Sequence, residues 1–353
     1  MYALQMTGWQ SDPELRDVAP PRPGPGEVLV RIGAAGVCHS DLHLLHEFPA
    51  GAFPWRLPFT LGHESAGWVA EMGAGATGVE VGQPVAVYGP WGCGACPACA
   101  AGAENYCRRV AATDPVAGLG RDGGMADYLL VPSSRHLVPL PGSLTPRIAA
   151  PLTDAGLTPY HAVERVRDRL APGSTTLVIG VGGLGHLAVQ ILRATSATRV
   201  VAVDTRPEAL DLAKSVGADV VLPAGETAAA EIRDLTDGGG VDAVLDIVGS
   251  DTTLALAAAA SGKDGHIVLV GIAGGSLPVS FLSLPYGIRV STTYWGTRPE
   301  LLRVLELAAR GDLVAETSAW PLSRALDAYA ALRAGTVRGR AVVIPDTIVD
   351  TAG

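Results

Sequence analysis

The run Thr175-Thr-Leu-Val-Ile-Gly-Val-Gly-Gly-Leu-Gly-His-Leu-Ala-Val-Gln-Ile-Leu192 decides the fold. Thr175–Ile179 reads as a short buried strand, and Gly180-Val-Gly-Gly-Leu-Gly185 matches G-x-G-x-x-G. Beyond it, Leu184, Leu187, Ala188, Ile191 and Leu192 fall at i, i+3, i+4, i+7 and i+8, one face of a helix. Alone the glycine pattern is weak. Here it follows an apolar strand and opens an amphipathic helix, and Asp204 ends the next strand 19 positions after Gly185. Glycines let backbone approach a pyrophosphate, which sits at the positive end of the helix. Gly180, Gly182, Gly183, Leu184 and Gly185 therefore read as a dinucleotide cradle, and Asp204 as the acceptor for the adenosine ribose. An ordinary glycine turn would need neither flank.

Asp204 repels a 2′-phosphate and so favours NAD. Arg206, in Asp204-Thr-Arg-Pro, offers a counter-charge to that phosphate, but repulsion at contact distance decides for NAD. Further strands follow at Val200–Val203, Asp219–Leu222, Asp242–Val248, His266–Val270 and Val290–Tyr294, with helical patterns between most of them. Strands alternating with helices predict a parallel sheet covered on both faces. Helical stretches at Pro299–Arg310 and Leu322–Arg333 lead to a last strand, Arg340–Ile344, expected to return to the first domain. Leu170–Leu192 is uncharged and long enough to span a membrane. Pro172, five glycines between Gly173 and Gly185, and His186 make it a buried strand, turn and helix instead.

The first 150 or so residues have another texture: short alternating runs such as Glu27-Val-Leu-Val-Arg-Ile and closely spaced turn signals such as Pro23-Gly-Pro-Gly26. That pattern predicts a β-rich domain. The whole chain has 353 residues, is 48% hydrophobic and carries a formal charge of -9. This suits two well-cored domains and argues against nucleic acid or anionic lipid as partner. The N-terminus lacks the basic start and apolar core of a secretory signal. A soluble, cytoplasmic protein without nucleic-acid or membrane partners is expected.

Five cysteines stand at 38, 93, 96, 99 and 107. An odd count without an export signal points to metal rather than disulfides. Cys93-x2-Cys96-x2-Cys99-x7-Cys107 can close a tetrahedral zinc shell with no open position, a structural site. An iron–sulfur cluster would have different spacing. The fifth lies in Gly36-Val-Cys-His-Ser-Asp-Leu-His43, and downstream comes Gly62-His-Glu-Ser-Ala-Gly67.

With these two motifs, the four-cysteine lobe, the dinucleotide fingerprint and the Arg338-Gly-Arg-Ala-Val tail, the sequence resembles the zinc-dependent medium-chain alcohol dehydrogenases, of the bacterial secondary-alcohol type. The likeness covers nearly the whole chain, in the family's order and spacing. It implies an α/β architecture: a GroES-like β-rich catalytic domain (1–152), a Rossmann doubly wound parallel-sheet domain binding NAD (153–297), and a return segment (298–353) completing the first. It also implies one catalytic and one structural zinc per chain, an alcohol or ketone substrate, and a homotetramer.

Residue by residue, the resemblance makes Cys38 and His63 ligands of the catalytic zinc. Many members place a cysteine third, in Leu-x-Cys-Ala-Gly; here Leu152-Thr-Asp-Ala-Gly156 puts Asp154 there, as in some other members. Asp41 should hold the free ring nitrogen of His63, and Glu64 lies behind the metal. A cation with one open position lowers an alcohol's pKa from ~16 to about 7, as it does that of water. Ser40 would take the proton and pass it through the nicotinamide ribose to His43. His39 falls where some relatives have a pyrophosphate arginine, and Arg340 matches another. Val248 and Val270 should line the dinucleotide. Trp55, Leu119, Tyr294 and Trp295 fall near substrate-pocket positions. His46, His136, His161, His186 and His266 belong to no motif. A zinc-free quinone or enone reductase of the same fold would not need Cys38, His63 and Asp154 together. A zinc-stapled binding protein would need the cysteine lobe alone.

Overall fold

A computed structural model describes residues 1–111 and 113–349; the end of the expected return segment, 350–353, lies outside the described residues. The chain divides into two compact units. One comprises Met1–Leu157, Trp295–Ala309 and the chain from Ala315 on; the other comprises Thr158–Tyr294 and Arg310–Val314.

The second unit is built on a six-stranded sheet in the order Val220–Pro223, Arg199–Asp204, Thr175–Ile179, Val241–Asp246, Ser261–Leu269, Arg289–Thr292, with every neighbouring pair parallel. From the central strand Thr175–Ile179 the chain runs outward to one side, then returns to build the other. The strand order reverses beside Gly180, the crevice where open α/β sheets bind ligands. The inner strands are buried, with Leu177, Ile179, Val201, Val203, Val244 and Ile267 in one core with Ile232 of helix Ala228–Asp234 and Ala257 and Ala260 of helix Asp251–Ala260. This is why they read as unbroken apolar runs rather than alternating ones.

All six expected strands are present; Thr175–Ile179 keeps its expected bounds and the other five have shifted ends. The expected strand Asp242–Val248 stops at Asp246, because the Asp246 carboxylate accepts the amides of Val248 (3.0 Å) and Gly249 (2.9 Å) and turns the chain out of the sheet. Helix Leu322–Arg333 begins as a 3-10 turn and becomes α-helical at Ala325. The last strand, Arg340–Ile344, matches its expected bounds.

The first unit contains a seven-stranded sheet. Its central strand, Val28–Val37, pairs antiparallel with Glu64–Met72, with Tyr128–Val131 and, at its far end, with the returning Arg340–Ile344. Two buried apolar clusters flank it. The expected boundary at 152/153 put Asp154 in the nucleotide domain. The structure keeps the chain in the first unit to Leu157, because the turn Ala150–Thr153 packs on the strands Val28–Val37 and Glu64–Met72. Residues Arg310–Val314 group with the second unit instead of the return segment.

Candidate active site and metal centres

The site is assembled where the sheet of the first unit ends. Val37 closes the central strand, and Cys38 follows as the N-cap of helix His39–His46. Asp41, at the third helical position, accepts the Cys38 amide at 3.1 Å, which fixes the cap. Opposite, Glu64 opens the antiparallel partner strand in register with Gly36, and His63 immediately precedes it. Gly36 is required there: a Cβ would lie 1.8 Å from a Glu64 carboxylate oxygen. Asp154 arrives from the turn after Ala150–Thr153.

Ligand atoms of Cys38, His63, Glu64 and Asp154 all lie within 4.8 Å of one another. His63 Nε2 and Asp154 Oδ2 are 3.5 Å apart, close to the edge of a tetrahedron with bonds of about 2.1 Å (roughly 3.4 Å). Cys38, His63 and Glu64 are buried, and Asp154 is 13% exposed. A thiol, two carboxylates and an imidazole in such space call for positive charge. The protein supplies one permanent cation, Arg340, which is 2% exposed and donates from Nε to Glu64 Oε2 at 3.0 Å and from its terminal nitrogen to Glu64 Oε1.

The titration directions follow from this arrangement. Burial pushes the Cys38 thiol up, but the Arg340 charge and the His63 ring outweigh it and bring it down to about 7. Glu64 is pushed up to about 8 by burial against the pull of Arg340. Burial opposes protonation of His63, yet Asp41 and Asp154 hold it well above its usual 6.5. The donor set suits zinc, with Cys38, His63 and Asp154 as three ligands and Glu64 engaged by Arg340.

Around this core, Asp41 Oδ1 lies 3.2 Å from His63 Nδ1, and Tyr329 donates its hydroxyl to Asp41 Oδ2 at 3.0 Å. The Trp295 ring stands edge-on to His63, centroids 5.8 Å apart, on a residue with φ 48°. Its neighbour Gly296 is held by the Tyr88 hydroxyl at 2.8 Å. Ser40 Oγ lies 3.4 Å from Cys38 Sγ. His43 Nδ1 lies 2.6 Å from Glu47 Oε2 on the more open side of the helix, and His39 is exposed at its start. Arg340, expected at a pyrophosphate, donates from Nε and a terminal nitrogen to Glu64 inside the catalytic unit.

Trp55 and Leu119 pack against one apolar cluster together with Trp9, Phe48 and Phe53. Phe53 stacks on Trp55 at 4.4 Å and 16°. Tyr294, by contrast, belongs to the second unit and is 44% exposed. Trp9 and Phe53 carried no motif and went unnoticed in the sequence.

The four cysteines of the lobe converge. Sγ separations are 3.9 Å for Cys93–Cys99, 3.5 Å for Cys96–Cys99 and 3.9 Å for Cys96–Cys107, against about 3.8 Å for a tetrahedron with 2.3 Å zinc–sulfur bonds. All four are free thiols. Backbone hydrogen bonds bring Cys96 down to about 6, whereas burial and its thiol neighbours push Cys99 up to about 12. Sequence reasoning also missed what holds this loop: Glu104 accepts the Gly92 amide at 2.8 Å, and Arg135 donates to the Gly92 carbonyl.

In the second unit, Gly185 opens its helix so close to Gly180 that a Cβ would meet the Gly180 carbonyl oxygen at 1.9 Å. At Gly182 a Cβ would meet only Arg206, at 3.8 Å, so that face of the loop is open to a phosphate. Gly183 and Leu184 complete the turn, half-buried. Asp204 Oδ2 accepts the Val181 amide at 2.7 Å, and Oδ1 accepts the Arg206 amide at 2.9 Å, with Arg206 Nε at 3.4 Å. The Arg206 side chain thus leans on the acid. Val248 and Val270 follow the ends of the next two strands; Val248 is 36% exposed, and the Val270 amide is tied to Asp246.

Residues 24–142 match the family model of the alcohol dehydrogenase GroES-like domain, and residues 183–310 that of the zinc-binding dehydrogenases. The chain is 37% identical to the NAD-dependent alcohol dehydrogenase of Saccharolobus solfataricus, over 98% of this chain and all of that one. Among solved structures, the alcohol dehydrogenase of Aeropyrum pernix superposes with a TM-score of 0.90 at 35% identity, covering 98% of this chain and 100% of its own. The acetophenone reductase of Geotrichum candidum, solved in complex with NAD, gives 0.85 at 33% identity, covering 99% and 98%.

Proposed function

We infer the chemistry from one premise: the chain belongs to the zinc-type medium-chain alcohol dehydrogenases and is an NAD-dependent enzyme that reversibly oxidises alcohols to ketones or aldehydes. The observation that carries this reading is the buried convergence of Cys38, His63 and Asp154 in the first unit. Zinc held by Cys38, His63 and Asp154 would supply a Lewis acid for the substrate oxygen, and NAD held by the Gly180–Gly185 loop would supply the hydride acceptor.

The roles of individual residues are our proposal. Cys38, His63 and Asp154 hold the catalytic metal, and Asp41 fixes the tautomer of His63. Arg340 holds Glu64 away from the metal. Ser40 receives the alcohol proton, and His43, leaning on Glu47, hands it toward solvent. Cys93, Cys96, Cys99 and Cys107 hold the structural zinc. Gly180 to Gly185 receive the pyrophosphate, and Asp204 the ribose. Arg206 is already leaning on Asp204, which supports NAD over NADP.

The substrates proposed are secondary alcohols and ketones, aryl-alkyl ones included. The stacked Trp9, Phe53 and Trp55 beside Leu119 offer flat apolar surface, and the acetophenone reductase is a structural relative. We place the enzyme in the cytoplasm, since both metal centres need reduced thiols. A homotetramer is proposed because the sheet ends in the edge strand Arg289–Thr292, near a loop whose Phe281 and Leu282 are 81% and 83% exposed; sedimentation checks it.

The deciding experiment offers 2-propanol and 1-phenylethanol with NAD and with NADP, alongside metal analysis. NAD-linked oxidation with two zinc ions per chain is expected. Zinc-free protein that reduces enones would replace this reading with a quinone reductase.

A further inference from the structure

Among the described residues, one buried hydroxyl is aimed at the catalytic centre without touching it. Tyr329 sits on helix Ala325–Arg333, 3% exposed, in the apolar core with Leu42, Leu45, Met125 and Leu332. Phenylalanine would fill that space without desolvating a hydroxyl, so the hydroxyl needs a partner to offset that cost. The partner is Asp41 Oδ2 at 3.0 Å; Met125 Sδ at 3.3 Å is the weaker acceptor. Burial, reinforced by the charge of Asp41, raises the phenol well above its ordinary range, so it remains a donor.

Asp41 is fully buried. Its Oδ2 accepts both the Cys38 amide, at 3.1 Å, and the Tyr329 hydroxyl. Two donors on one oxygen fix the plane of the carboxylate and turn Oδ1 toward His63 Nδ1 at 3.2 Å. We propose that Tyr329 is a positioning residue for the metal ligand His63, acting through Asp41. The inference rests on the proposed role of His63. It makes helix Ala325–Arg333, whose Tyr329 stands 288 positions along the chain from Asp41, part of the catalytic centre's support. Without the hydroxyl, Asp41 keeps one donor, its plane is free to tilt, and the imidazole loses its orientation. Losing such outer partners typically weakens metal binding 10–100-fold.

The test uses full-length holoenzyme and follows zinc release to a chromophoric chelator. In Tyr329→Phe, one equivalent should leave about 10-fold faster, the other at the wild-type rate, with kcat reduced and the KM for NAD unchanged. In an Asp41→Asn background the Tyr329→Phe effect should vanish, because the pair acts as one unit. Leu332→Ala, which thins the same core without touching Asp41, should lower the melting temperature and leave the release rate alone. Equal release rates in wild type and Tyr329→Phe would overturn the proposal, as would equal acceleration by Leu332→Ala. The underlying site is checked separately: Cys38→Ser should retain one equivalent, and retention of both would refute the metal centre itself.

Discussion

The guanidinium of Arg340 is paired with the carboxylate of Glu64, and both are buried against the zinc-ligand cluster. A buried ion pair gives little net stability when intact, but removing Arg340 strands Glu64 in apolar space, where it must stay charged or take up a proton, at up to about 3–5 kcal/mol. Arg340→Met should therefore destabilise the protein by about that much, measured by denaturant unfolding. It should also push Glu64 above its already raised value of about 8. Adding Glu64→Gln should restore most of the loss. If the single variant is as stable as wild type, the pair does not carry this role.

Asp154 faces His63 across 3.5 Å, too far for a good hydrogen bond and right for a shared cation. Asparagine keeps the shape and removes the charge. Asp154→Asn should lower the zinc content from two ions to about one per chain. It should also cut kcat/KM by more than the 10–100-fold typical of outer partners. Near-normal turnover with full metal content would exclude Asp154 as a ligand.

How far the sequence carried these conclusions depended on distance along the chain. Cys38 and Asp41 share one helical turn, the four cysteines share one lobe, and Gly180 to Asp204 lie in one strand–helix–strand unit, so their relations show as spacing. Tyr329 and Arg340 reach partners 288 and 276 positions away, and no local pattern names those partners. Arg340 was visible as a special residue, but its acid was not, because the Glu64 pairing depends on the register of two antiparallel strands and on the missing Cβ of Gly36. Val248 looked like strand by its apolar neighbours, whereas a side-chain to backbone contact from Asp246 ends the strand two residues earlier. Asp154 was legible as a candidate ligand from its segment, whereas only packing shows that its turn rests on the strands Val28–Val37 and Glu64–Met72.

His136 is 1% exposed, and burial, followed by the charges of Arg135 and Arg298, brings it down to about 3. Unfolded, it binds a proton below about 6.5. Between those values the unfolded chain holds the extra proton, so stability is complete above about pH 6.5 and declines as pH falls toward 3. The slope is up to about 1.4 kcal/mol per pH unit. His136→Gln keeps an acceptor for Arg135 and removes the titration. Its unfolding free energy should trail wild type at pH 7 and draw level or lead at pH 5. Parallel curves for the two proteins would show that another group sets the acid limit.

Asp204 does two things that one substitution would confuse. Its Oδ2 supports the glycine loop through the Val181 amide at 2.7 Å, and its charge faces the position of a ribose 2′ substituent in the proposed binding mode. Asp204→Gly removes both, and Asp204→Asn removes mainly the charge. Hydrogen bonds to charged groups are worth about 1.5–3 kcal/mol, so either variant should lose roughly 10–100-fold in kcat/KM with NAD. Both should improve with NADP, the more so because Arg206, released from Asp204, can turn to the added phosphate. Comparing the two separates loop support from charge: a larger fall in NAD use for the glycine variant measures the loop. Equal efficiency of the unmodified enzyme with both cofactors would mean that Arg206, rather than Asp204, governs the choice.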